Sequence, residues 1–226
     1  MTSSFPMPAP TPVWHLYRTL VGVGVICGLL IVTVYDFTKP IIKRNRVEAR
    51  QRAVLQVLPG ATHARTFRFA DAAYAPAAED STGDDLAFAG FDASDKLVGV
   101  AIEAHGNGYQ DEVRVLYGYS FEQQAIIGIR VLESRETPGL GDRVETDPDY
   151  LANFVKLDVA LAEDRKQLAH PIEFTKHGTK QHPWQIDGIT GATVTTSAIA
   201  RMLAASAAAT VPQLYARRTD FHPEGK

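Results

Sequence analysis

Cysteine is almost missing from this chain: Cys27 is the only one in 226 residues. That excludes an internal disulfide, and it excludes a Cys-based metal site or iron–sulfur cluster supplied by this chain alone. Cys27 lies in an apolar stretch and reads as a small hydrophobe. Ile26 precedes it, where a lipoprotein cysteine needs a small residue. A strong charge imbalance is also missing: the formal net charge is -3, and only one short segment is basic. No nucleic-acid partner is expected. No G-x-G-x-x-G, no GxxxxGK[ST] and no G-x-S-x-G occurs, so the dinucleotide fingerprint, the P-loop and the hydrolase elbow are absent. His170, His177 and His182 fall at irregular spacing with no Cys or acid in register, which does not favour a metal site. There is no internal repeat.

One run lacks charge altogether. "TLVGVGVICGLLIVTVY", Thr19 to Tyr35, is flanked by Trp14, Tyr17 and Phe37. As a helix of about 17 residues it spans roughly 25 Å, with aromatics where membrane interfaces place them. "DFTKPIIKRNR" follows and offers no A-x-A-like cleavage site, so the run reads as an uncleaved anchor rather than a signal peptide. After it come Lys39, Lys43, Arg44, Arg46, Arg50 and Arg52; before it stand Arg18, His15 and the amino terminus. Taken alone, the positive-inside rule puts the C-terminal part in the cytoplasm.

Residues 1–12, rich in Pro, Ser and Thr, read as a disordered lead. Ile41 to Leu58 has a helical apolar face, with Pro40 as a candidate kink and Pro59-Gly60 as its end. Phe69 to Asp85 is poor in large aliphatics and reads as a loop. "LAFAGFD" and "KLVGVAIEAHG" look like strands joined by a turn at Asp92–Asp95. "EVRVLYGYS" shows a half-buried strand pattern, and "AIIGIRVLE" reads as another strand. "DPDYLANFVKL" reads as a helix capped by Asp147, and a last helix is expected from about Thr196 to Ala209. Strands first and helices later predict an α+β domain with a mostly antiparallel sheet.

Three islands carry chemistry. "DGITGATVTTSA", Asp187 to Ala198, sets glycines and hydroxyls before an Ala-rich helix. Such a helix start offers unpaired N–H groups and suits a phosphate, although a plain helix cap would use the same residues. "ESRETPGLGDRV" predicts a type II turn at Pro138-Gly139, with Gly141 keeping a second backbone position open. Glu136 there either accepts from a ligand N–H or holds the loop. "HGNGYQDEV" is either a glycine-bearing loop against a ligand or a strand connector.

In this order, behind one membrane helix, these islands resemble the G subunit of the Rnf (Rsx) electron transport complex. The resemblance rests on the anchor, the basic stalk, "GNGYQDEVRVLYGY", "ESRETPGLG" and "DGITGATVTTSA", which matches the flavinylation pattern D-G-x-[ST]-G-A-T. It implies FMN joined through a phosphoester to Thr193 by a dedicated flavin transferase that uses FAD. Asp187 and Gly188 would be transferase recognition residues, and Thr190, Gly191 and Ala192 the motif around the ester. Glu136, Thr137, Leu140 and Gly141 would pack against the isoalloxazine. The implied layout is an N-terminal lead over 1–18, a transmembrane helix over 19–35, a basic helical stalk over 36–60, an FMN-binding domain over 61–215 and a tail over 216–226. The implied function is a covalent-flavin electron relay between ferredoxin and NAD(H) in an ion-translocating complex, with no independent catalysis. Its partners would be other membrane and iron–sulfur subunits, the transferase and membrane lipid. The family sets the flavin domain on the periplasmic side of the bacterial inner membrane, against the basic stalk; partner subunits can fix such an orientation. The C subunit of the sodium-translocating NADH:quinone reductase shares the motif and is the alternative within redox chemistry. A noncovalent flavin binder and a non-redox anchored scaffold or sensor are the others.

Overall fold

A computed structural model describes residues 13–222. The expected lead over 1–12 and the end of the expected tail, 223–226, lie outside the described residues. The chain forms two units, Met1–Arg46 and Val47–Lys226.

The first unit holds most of helix α1, Val13–Val57, which runs on through Pro40. Its long apolar stretch is not buried at all. Leu20, Ile31 and Phe37 are at least 70 % exposed. Bare apolar surface at this length is a candidate single membrane span. Helix α3, Thr193–Ala216, is also apolar, but half of its apolar stretch is buried in the second unit, as in a core helix.

The second unit is built on a seven-stranded antiparallel sheet in the order β2-β1-β3-β4-β5-β6-β7. The strands are β1 (His63–Ala70), β2 (Ala73–Pro76), β3 (Leu86–Phe91), β4 (Leu97–Asn107), β5 (Glu112–Ser120), β6 (Ala125–Glu133) and β7 (Leu157–Asp158). The expected loop over Phe69–Asp85 is corrected at its start. β1 runs to Ala70 and turns tightly through Asp71 and Ala72, both at positive φ, into β2. The short β2 has no aliphatic signal. Tyr74 holds it instead, packing on Phe69 and Phe221 and donating its N–H to Asp220 at 3.0 Å.

β5 is not half-buried as expected: Val115 to Ser120 are all buried. One face lies on α3, where Ile199, Leu203, Val211 and Leu214 are fully buried. The other is covered by the end of α1 through Ala53, Val54, Val57 and Leu58, against Leu86, Phe88, Ala101 and Leu116. Covering both faces removes the polar alternation a one-sided strand needs. Beneath that helix end lie two cross-strand glycine pairs, Gly90 with Gly99 and Gly118 with Gly128. A Cβ on Gly118 would collide with the Val57 carbonyl, and one on Gly90 would meet Leu58 Cδ1 at 2.6 Å. Arg50, on the same stretch of helix, lies over the Phe88 ring and donates to the Glu79 carbonyl at 2.6 Å.

The remaining elements carry the site. A 3-10 turn, Gly141–Glu145, leads to helix α2, Pro148–Ala152. The expected helix there is only this short. Its Asp147 cap does form, accepting the Tyr150 N–H at 3.2 Å. Partial burial pushes the Asp147 carboxyl up, but the Tyr150 N–H and Arg143 outweigh it and hold the pKa below the usual carboxylate value. Its stabilising contribution is thus present above that usual value and is lost as pH falls through the lowered one. Asp147→Ala is expected to cost about 1 kcal/mol in chemical denaturation near neutral pH. The deficit should shrink on acidification. Two short parallel strands, β8 (Glu173–Thr175) and β9 (Gln185–Asp187), were not expected; β9 delivers the chain to the motif.

Candidate functional site

The three islands, far apart in sequence, meet at the start of α3. That helix begins at Thr193, three residues before the expected start, with Ala192 as its cap and no side chain closing it. The threonines are therefore not a helix cap, and each hydroxyl has a separate fate. Thr196 donates back to the Ala192 carbonyl at 2.9 Å. Thr195 is 2 % exposed and donates to Glu136 Oε2 at 2.6 Å. Ser197 donates to the Val194 carbonyl at 3.0 Å. Thr190 and Thr193 are exposed, and no hydroxyl bond is made by either among the described residues.

Glu136 is 7 % exposed and draws the islands together. Its Oε1 accepts the N–H groups of Tyr109 at 2.9 Å and Gln110 at 3.1 Å, while Oε2 takes the Thr195 hydroxyl. Of the two roles open to Glu136, holding the loop is the one these bonds occupy. Gly141 lies against this carboxylate, where a Cβ would come within 2.8 Å of the Glu136 Cβ and 3.0 Å of Thr195 Oγ1. The expected type II turn is present: Leu140 N–H donates to the Thr137 carbonyl at 3.2 Å, and Gly139 has φ +77°. Thr137 is half-buried and reaches Gln110 Oε1 at 3.4 Å. Leu140 projects outward at 51 % exposure, Val194 at 50 % and Tyr109 at 69 %. These three exposed side chains sit one on each island. An exposed apolar surface of this kind suits a flat ring.

The other end of the motif is held by Asn153, a residue sequence reasoning passed over. It is 5 % exposed, and its amide pairs with the Asp187 peptide as a strand would. Oδ1 accepts the Asp187 N–H at 3.0 Å and Nδ2 donates to the Asp187 carbonyl at 3.1 Å. Lys180 Nζ donates to the same Oδ1 at 3.0 Å. Burial lowers the Lys180 pKa, against the pull of the Asp187 charge. Asp187 Oδ2 accepts the Gly178 N–H at 2.8 Å. Gly188 is pressed on the Phe174 ring, and Gly191 turns the chain at φ +90°. Arg143, also passed over, ties the Thr190 carbonyl at 3.2 Å to Asp147 at 2.6 Å. No sequence pattern marks Asn153 or Arg143.

A cleft of about 150 Å³ flanks the motif, lined by Arg143, Asp147, Tyr150, His177, Asp187 and Thr190 among others. The three histidines do not meet: His177 Nδ1 lies 3.1 Å from the Gly188 carbonyl, whereas His170 and His182 both stack on one ring, Trp184. Among the described residues no cluster of His, Cys, Asp and Glu could hold a metal ion.

Comparison with known proteins gives the family and the fold. The FMN-binding domain family matches residues 108–208, which contain the Pro138-Gly139 loop, the Asp187–Ala198 segment and most of the glycine-bearing turn. The G subunit of the ion-translocating oxidoreductase complex of Pseudomonas aeruginosa is 30 % identical over 185 residues, covering 80 % of this chain and 78 % of that one. Its Methanosarcina acetivorans counterpart is 28 % identical over 186 residues, covering 80 % and 85 %. The fold is shared with the C subunit of the Na(+)-translocating NADH-quinone reductase of Parabacteroides distasonis, at a TM-score of 0.61 and 17 % identity, over 79 % of this chain and 95 % of that one. The chain, with its FMN-binding domain, belongs to the family formed by the G subunits of ion-translocating oxidoreductase complexes.

Proposed function

We propose that this chain is a membrane-anchored electron carrier of an Rnf-type complex, with FMN esterified to Thr193. The observation that carries the reading is the free, exposed hydroxyl of Thr193 on the first residue of α3. The N–H groups of that first turn have no intrahelical acceptor, and the helix start favours a negative charge, so a phosphodiester is stabilised there. Thr190 shares the exposure, but it lies in the loop, outside the helix start. When bound, FMN supplies one- and two-electron redox chemistry; the protein holds and orients it. Leu140, Val194 and Tyr109 offer the apolar surface for the ring, beside Thr137 and Gly141. Asp187, partly exposed and fixed by Asn153, with Gly188 buried behind it against Phe174, is the recognition point for the maturing transferase.

Attachment balances as one phosphoryl transfer. The Thr193 oxygen bonds the FMN phosphorus of FAD, the bond to AMP breaks, and the hydroxyl proton leaves with AMP as the other product. The anchor belongs in the bacterial inner membrane with the flavin domain on the periplasmic side. The partners are membrane and iron–sulfur subunits of the complex, which relay electrons between ferredoxin and NAD(H).

The test is a denaturing gel of protein made with an active flavin transferase. The wild-type band is expected to fluoresce as flavin and the Thr193→Val band to be dark. A dark wild-type band, with the transferase active on a control protein, overturns the covalent reading. Flavin that binds the native protein but washes out in denaturant would assign a noncovalent binder instead.

A further inference from the structure

We propose that Glu136 is a positioning residue for the attachment step, acting through Thr195, rather than a contact of the flavin ring. The inference rests on the reading of Thr193 as the attachment site. The Glu136 side chain is turned inward, and its two oxygens are taken by three donors from two other segments. Those donors belong to the turn after β4 and to the first turn of α3. Glu136 itself stands at the head of the ring-side loop, with its own N–H donating to Ser134 Oγ at 3.3 Å. One carboxylate thus fixes the start of the helix that bears Thr193 against both loops that border it.

The glycines around it support the same role. A Cβ on Gly108 would collide with Glu136 Oε1, and one on Gly141 with Oε2. The backbone of both loops therefore comes as close to the carboxylate as side-chain-free residues allow. No space is left there for a ligand atom between Glu136 and its partners. The clamp has a second effect. It engages the Thr195 hydroxyl two residues beyond Thr193, so that this oxygen is buried and spent. Glu136 therefore both orients the reactive threonine and removes a competing one.

Glutamine can imitate the arrangement. Its carbonyl oxygen accepts the two backbone N–H groups, and its amide donates to Thr195 Oγ1. Alanine cannot, and neither can Thr195→Val, which strips the donor from Oε2. The experiment uses the full chain in detergent, purified transferase and FAD, and follows covalent flavin with time. Glu136→Ala and Thr195→Val are expected to lower kcat for attachment on the order of 10- to 100-fold, the effect of a misplaced reacting group. The KM for FAD should stay put, since FAD binds the transferase. Glu136→Gln is expected to restore most of the rate. Gly90→Ala, on the opposite face of the sheet, destabilises without touching the site and should label normally. Peptide mapping should find all flavin of the wild type on Thr193.

Wild-type rates in Glu136→Ala and Thr195→Val would overturn the proposal. So would equal losses in Gly90→Ala, which would make the effect one of stability alone. Should Glu136→Ala not fold, Thr195→Val against Glu136→Gln decides it: equal rates in the two overturn the positioning role. Absence of covalent flavin in the wild type, with the transferase active on a control, removes the attachment reading itself and is distinct from all of these outcomes.

Discussion

Gly118→Val is expected to leave no stably folded second unit. Gly118 lies in the middle of the sheet, paired with Gly128, and directly beneath the Val57 carbonyl of α1. Added methyls there meet backbone, which cannot rotate away as a side chain can. The end of the helix must lift, and Val54, Val57 and Leu58, all nearly fully buried, lose their seat. Crowding in a packed core costs about 1–3 kcal/mol where side chains can adjust. Here they cannot, so the cost is expected to exceed about 4 kcal/mol, in the range reserved for severe lesions. Chemical denaturation of the full chain in detergent, followed by far-ultraviolet circular dichroism, measures it. Gly139→Ala is the contrast. A Cβ there meets no atom within 4 Å, and only its φ of +77° is strained, so about 1–2 kcal/mol is expected. A Gly118→Val protein within about 1 kcal/mol of wild type by the same measurement would show that the helix end is not seated tightly.

Asn153→Leu is the second large effect, and it separates stability from mere volume. Leucine fills the space but leaves the N–H and carbonyl of Asp187 without the partners Asn153 supplies, while the Tyr150 carbonyl loses the side-chain donor and keeps the backbone N–H of residue 153. The Lys180 ammonium loses its acceptor as well. Buried polar groups left unpaired cost about 1–3 kcal/mol each where no water replaces the lost bond, so a total near 3 kcal/mol is expected. Asn153→Asp should fall between, since it keeps the acceptor and loses the donor to two carbonyls. Amide hydrogen exchange localises the effect. The Asp187 amide should lose protection in Asn153→Leu, ahead of amides in β4 and β5. Unchanged exchange at Asp187 would refute the idea that a side chain holds the motif in place of a strand.

How much of this was legible in the sequence depends on where each signal lives. β3 to β6 could be read because their apolar runs are closed by turn residues such as Asp92–Asp95. The type II turn could be read because Pro138-Gly139 dictates it locally. β1 and β2 could not. Their turn uses Asp71 and Ala72 rather than glycine, and β2 is held by Tyr74 against Phe221, a partner far along the chain. The end of α1 looked like part of a stalk because its apolar stripe finds its partner only in the assembled sheet. The glycines at positions 90, 99, 118 and 128 are scattered in sequence, one on each of four strands. Only the pairing register shows that they lie under one helix end. At the site, the residue types were visible but the division of labour was not. Nothing in a string of threonines says which hydroxyl will be spent on Glu136, 59 positions earlier.

That division has a consequence in time. Before folding, Thr190, Thr193, Thr195, Thr196 and Ser197 offer chemically similar hydroxyls within one short segment. After folding, three of them are occupied by Glu136 and by helix carbonyls. An enzyme that met the nascent chain would have to choose among five oxygens by sequence alone. One that meets the finished domain chooses between two, only one of them on a helix start. On the proposed chemistry, maturation of this chain is therefore a late event, and the folded acceptor itself acts as the proofreader.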